Sequence, residues 1–202
     1  MNSNDLIMAI ENGDELTVAL YVQSGVSLSS KINGLFPIEH AIKSHSCVLP
    51  LLFDFGATAT VPDLFLAVEH NNMFALDTLL NNGLTLEDTQ DDGPTVLSYA
   101  SCSNSRSNIQ QHIISRGARV SRQDSNQATA LIISSWFGAD VCVNNLLSAG
   151  AKVDISDSLG DTALIKACRF HHVSIAQTLL KAGATPGIRN HEGKIASDYM
   201  KI

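Results

Sequence analysis

The sequence predicts an all-α solenoid of stacked helix pairs joined by short β-hairpin fingers. Three markers recurring in one phase carry that prediction. The first is Leu-Leu-x-x-Gly, at Leu79-Leu80-Asn81-Asn82-Gly83, Leu146-Leu147-Ser148-Ala149-Gly150 and Leu179-Leu180-Lys181-Ala182-Gly183. Looser copies end at Gly25, Gly56 and Gly117, so six glycines stand 31, 27, 34, 33 and 33 residues apart. The second is a small residue thirteen places before the second Leu position: Ala9, Ala67, Ser134 and Ala167, with Ala41 and Ala100 one place off. The third is Gly-x-Thr-(Pro/Ala)-Leu, read in Gly160-Asp161-Thr162-Ala163-Leu164, with weaker copies at 34–38, 93–97 and 126–131 and a truncated one at 193–198. A fixed period of a few tens of residues marks a stacked repeat architecture.

Each marker has a physical reading. A small residue lets two antiparallel helices approach. The Leu-Leu pair sits on the buried face of the second helix, and the Gly after it takes the left-handed helix-ending conformation. Thr before Pro or Ala supplies the oxygen that caps a first helix. One unit cannot bury its own apolar face, so neighbours must stack.

In chain order the pattern predicts helix pairs at 5–12 and 15–24, 37–44 and 47–54, 62–70 and 73–81, 95–102 and 107–115, 129–136 and 140–148, and 162–169 and 173–181, with a final helix at 194–201. Fingers fall near 29–35, 87–93, 120–127, 153–160 and 186–193. The 27-residue interval from Gly56 to Gly83 leaves a stub at 57–61 in place of a finger. Pro50 is tolerated only in a first turn, so its helix should begin near Leu49. The polar run at 101–108 reads as a longer inter-helix loop, and His171-His172 as a capped one.

The three markers together make the sequence resemble the ankyrin-repeat family over essentially the whole chain. Residues 159–186 are nearest to the family pattern, the last three glycine intervals match its period of about 33 residues, and no copy holds an intact Thr-Pro-Leu-His. The resemblance implies one domain over 1–202: an N-terminal cap at 1–28, repeats at 29–58, 59–86, 87–119, 120–152 and 153–185, and a C-terminal remnant at 186–202. The first three units are the most degenerate and are expected to fray first.

Composition narrows the function. The 202 residues are 45% hydrophobic and 16% charged, with 13 Lys and Arg against 20 Asp and Glu, a net charge of −7. Such a chain buries a core, and its charge argues against nucleic acid and against an anionic membrane surface. It is compatible with a basic protein partner. No run of 18 apolar residues and no signal-peptide pattern is present, and Cys47, Cys102, Cys142 and Cys168 form no CxxC pair. Reduced, mostly buried thiols in a cytoplasmic protein are expected.

No catalytic, cofactor, metal or small-molecule site is expected. Cys168, His171 and His172 cluster but lack further ligands at zinc spacing. There is no GxGxxG, P-loop, HExxH or GxSxG. The acidic run of Glu87, Asp88, Asp91 and Asp92 reads either as a solvated finger tip or as a contact for a partner's Lys or Arg.

Recognition is a different matter. The resemblance implies that fingers and first helices line a concave face. There it places Trp136 and Phe137, and one repeat later Arg169 and Phe170, residue types favoured at binding hot spots. Two other readings apply: the aromatics lean into the core, or Arg169 stacks on Trp136 internally. The fingers add Arg122, Asp124, Asn126, Ser158 and His191, while Phe36 at a Thr position reads as buried. The expected function is non-catalytic binding of one protein partner, which is inhibited or sequestered as by a bacterial immunity protein or antitoxin. The alternative is an adaptor or scaffold with several weaker partners, including a host-directed effector.

Overall fold

A computed structural model of the chain describes residues 3–89 and 93–200. The helices form where the repeat period puts them, in two compact units, Met1–Thr85 and Leu86–Ile202.

The first unit holds three helix pairs: α1 (Ser3–Asn12) with α2 (Glu15–Gln23), α3 (Pro37–Lys43) with α4 (Leu49–Asp54), and α5 (Val61–Glu69) with α6 (Met73–Asn81). First helices pack side by side, and Leu6, Ile10, Ile42, Leu49, Leu52, Leu64, Leu76 and Leu79 make a fully buried core. Helix α4 begins at Leu49 with Pro50 in its first turn, where the missing N–H has no helical partner to lose. Residues 57–60 run directly into α5 with no finger. Instead, Thr60 N–H and Oγ1–H both donate to Asp63 Oδ2, at 2.7 and 2.9 Å. Burial pushes the Asp63 carboxyl above its ordinary pKa, against those two hydrogen bonds. Phe36 is exposed rather than buried. It precedes the first turn of α3, its side chain points out from the helix start, and Lys31 Nζ lies 5.1 Å from its ring centroid.

The second unit holds α7 (Val96–Ala100) with α8 (Ser107–Ser115), α9 (Ala130–Phe137) with α10 (Asp140–Ser148), and α11 (Ala163–Arg169) with α12 (Val173–Lys181). The stretch at 101–108 is an ordered connection: a 3-10 turn, Asn104–Arg106, leads directly into α8. The expected terminal helix is a 3-10 turn, Ala196–Tyr199, packed on α11. Four residues cannot complete an α-helical ladder, and Asp198 Oδ2 accepts the Ile195 N–H to cap the turn.

The sequence markers resolve into hydrogen bonds. The carbonyls of Ala9, Ala41, Ala67, Ser134 and Ala167 each accept an N–H from five residues on, from Asp14, Ser46, Asn72, Ala139 and His172, which turns the chain into the second helix. All six small residues, Ala100 included, are buried. Each second helix ends with another five-residue closure, for example Ala151 N–H to Leu146 O at 3.0 Å, with Gly150 between them at φ 82°. Thr95, Thr129 and Thr162 cap α7, α9 and α11 through their hydroxyl oxygens. The Leu pairs split: Leu79, Leu146 and Leu179 are buried, while Leu180 is exposed. Neighbouring residues on a helix point about 100° apart, so one apolar seam takes only one of the two.

The fingers contain no extended strand among the described residues. Antiparallel pairing is confined to the isolated bridges Ile32 to Leu35, Thr89 to Thr95 and Ser156 to Thr162 among the described residues. Adjacent fingers of the second unit join through the backbone, Ser158 N–H to Asn126 O at 2.9 Å and His191 N–H to Leu159 O at 3.0 Å.

Candidate functional site

The site grows from the finger turns of the second unit. Asp124, Asp157 and Asn190, spaced by the repeat, perform one task. Each Oδ1 accepts the backbone N–H groups two and four residues on: Asn126 and Ala128, then Leu159 and Asp161, then Glu192 and Lys194. These turns fix the finger tips against the first helices.

Between the first two of these fingers and α9 lies a groove of about 380 Å³. Ile132, Ile133, Trp136 and Leu159 supply apolar wall, and Asp124, Asn126, Ser158 and Lys166 supply polar atoms. Trp136 is 41% exposed, Phe137 56% and Phe170 42%. These three predicted residues form one surface, with the Trp136 ring centroid 5.3 Å from Phe137 and 5.9 Å from Phe170. Such offset packing holds the rings in place without covering them.

Arg169 is partly buried and tied into the protein's own hydrogen bonds. Its guanidinium donates to Asp161 Oδ2 at 2.8 Å, to Glu192 Oε1 at 3.1 Å and to Tyr199 Oη at 2.5 Å. Burial opposes its charge, and Asp161, Tyr199 and Glu192 together outweigh that and raise its pKa. It stacks on Tyr199, 4.5 Å from the ring centroid, and the cation over Trp136 is Lys166, at 5.5 Å. The alternative reading of Arg169 stacked on Trp136 is not what forms, because Asp161 and Glu192 draw the guanidinium toward the last finger.

Lys166 escaped the sequence reading. It is 5% exposed, and its Nζ bonds Asp157 Oδ2 at 2.8 Å and Asp161 Oδ2 at 2.9 Å, while Asn190 Nδ2 donates to Asp161 Oδ1 at 2.7 Å. The available signal was a Lys inside the apolar run of α11, five and nine residues after two finger aspartates.

The remaining expected residues take varied places. Arg122 pairs with Glu87 Oε2 at 2.7 Å and also donates to the Glu87 carbonyl. His191 is exposed, with its backbone tied to Leu159 O. Asp91 and Asp92 lie outside the described residues. His172 Nε2 contacts Trp136 O at 3.0 Å, which supports the turn that carries the indole.

For chemistry the second unit offers little. Burial pushes the Cys142 thiol up to about 11 and raises Cys168, which leaves both as poor nucleophiles near neutral pH. Cys47, by contrast with the expected burial, is exposed. Among the described residues no group of three or more His, Cys, Asp or Glu is arranged to hold a metal ion, and no helix is long and apolar enough to cross a membrane.

Comparison with known proteins agrees with the geometry. A family model described as ankyrin repeats (3 copies) matches residues 64–157 and 104–190. The chain therefore belongs to the ankyrin-repeat family, and its fold is the ankyrin-repeat solenoid. Among solved structures it is similar to the ankyrin repeat domain of Bcl-3, described as a unique member of the IkappaB protein family. That likeness has 26% identity and a TM-score of 0.83, over 98% of this chain and 93% of that one. No curated protein sequence matches the chain. Ankyrin repeats make the chain a protein–protein interaction module.

Proposed function

We propose that the protein binds one specific protein partner in the groove of the second unit and on the aromatic surface beside it. It acts without catalysis, inhibiting or sequestering that partner in the manner of an immunity protein or antitoxin. The observation carrying this reading is the exposed set of Trp136, Phe137 and Phe170, continuous through Trp136 with a groove whose walls are fixed by buried ion pairs. A rigid aromatic surface left in solvent is unfavourable until something covers it. Aromatic anchors in a preformed pocket also lose little conformational freedom on binding. Asn126 and Ser158 are proposed as contacts at the finger tips, with Arg169 and Arg122 as supports. The four free cysteines suit a reducing, cytoplasmic setting.

Affinity capture from the native cell extract tests this reading, wild type against Trp136→Ala combined with Phe170→Ala. The expected result is one stoichiometric partner that the double variant loses. Many weak partners, or one that the variant retains, would favour an adaptor working through another surface.

A further inference from the structure

We infer that Asp124 Oδ2 is a cation subsite of this groove, so that the partner segment seated there carries an Arg or Lys side chain beside an apolar one. The inference rests on the groove being the partner site. It comes from comparing three finger residues that the repeat makes equivalent.

Asp124, Asp157 and Asn190 use Oδ1 identically, to close their turns. They differ in the second terminal atom. Asp157 Oδ2 is bonded to Lys166 Nζ at 2.8 Å. Asn190 Nδ2 donates to Asp161 Oδ1 at 2.7 Å and to Tyr199 Oη at 2.9 Å. Asp124 Oδ2 has no partner among the described residues, yet the side chain is half-buried and lines the groove. It also borders a second hollow of about 280 Å³ beside Arg122 and Thr89.

Charge matching points the same way. Lys166 is held by Asp157 and Asp161, Arg169 by Asp161 and Glu192, and Lys194 by Glu192, so three cations answer three anions. Arg122, next to Asp124 in the finger, is held by Glu87. Of the charged residues lining the groove, Asp124, Asp157 and Lys166, only Asp124 lacks an ionic partner among the described residues. An occupant that covers Trp136 and Leu159 draws water away from this carboxylate. A neutral or acidic segment would leave it desolvated and unpaired, whereas a guanidinium or ammonium gives it charge-assisted hydrogen bonds.

Trp136 is the chain's single tryptophan, so its emission reports occupancy of the groove. The probes are capped Gly/Ser hexapeptides containing one Leu and one Arg at separations of one to three residues. Matched sets carry Gln or Glu in place of Arg, and all are titrated to roughly 10 mM. The expected result is that an Arg probe binds about tenfold more tightly than its Gln counterpart, and the Glu probe more weakly still. Asp124→Asn should abolish the Arg preference while leaving Gln-probe affinity and Tm unchanged, since Asn190 closes the same turn with the same oxygen. Equal responses to Arg and Glu probes, or a preference that survives Asp124→Asn, would overturn the subsite and leave the groove reading intact. No emission response to any probe would overturn the groove reading and the subsite with it.

Discussion

Asp161 is the residue on which the polar interior of the second unit converges. It has no exposed surface, and its two oxygens take Lys166, Arg169 and Asn190. A buried charge that loses its counter-ion costs far more than the intact pair contributes, on the order of 3–5 kcal/mol. Asp161→Ala is therefore expected to destabilise the second unit by about 3 kcal/mol or more, read as a drop in denaturant midpoint. A loss under about 1 kcal/mol, the size typical of exposed pairs, would mean that the network is merely solvated surface. At this scale the sequence was only partly legible. The exposed aromatics could be placed by repeat phase, because phase fixes which face a residue occupies. The pairing of Lys166 and Arg169 could not, because phase does not say which of several nearby carboxylates a long side chain reaches.

The finger is the element that aims the groove. Two features hold it: the side-chain oxygen inside each turn, and the backbone bond to the next finger. Gly160 is where both meet. Its φ is 77°, and a Cβ there would lie 2.9 Å from His191 N and 3.0 Å from Asn190 Cα, both backbone atoms that cannot simply rotate away. Gly160→Ala is expected to cost about 2 kcal/mol, combining the left-handed backbone penalty with displacement of the last finger. Thermal unfolding checks this, and an unchanged Tm would show that the fingers are not locked to each other. Helices were more legible than fingers. Periodic apolar residues and the glycine shortly after each second helix (Gly83, Gly117, Gly150 and Gly183) bracket α6, α8, α10 and α12 at their observed ends. A finger contains too few residues to show the alternation by which strands are recognised. The terminal turn was misjudged because its Ile-Ala-Ser-Asp copy of the repeat motif looks like the start of a helix that the chain does not continue.

Across the molecule the two units differ in what ties each together. The second unit carries the finger-to-finger backbone bonds and the buried ion network, and its finger bases are joined again, Lys152 N–H to Ser121 Oγ and Thr185 N–H to Asp154 Oδ1, each at 2.9 Å. The first unit has no finger at 57–60 and depends on apolar packing plus a few bonds such as Asn72 Nδ2 to Ile42 O at 2.8 Å. Stability in stacked repeats is approximately a sum over units and their interfaces. Native-state hydrogen exchange should therefore find the amides of residues 3–85 opening at lower free energy than those of 93–200. Uniform protection would refute that ordering. The family and the repeat period were plain in the sequence, since every repeat restates them. The groove was not, because it depends on how one finger lies on the next. That the aromatic surface beside the groove is the binding site is the central claim, and one measurement tests it most directly. It is the calorimetric affinity of the captured partner for the wild type and for Trp136→Ala, at matched fold stability. A loss of about 2 kcal/mol or more, roughly thirtyfold in Kd, is the predicted result. An affinity unchanged within error would contradict the claim and move recognition to another face.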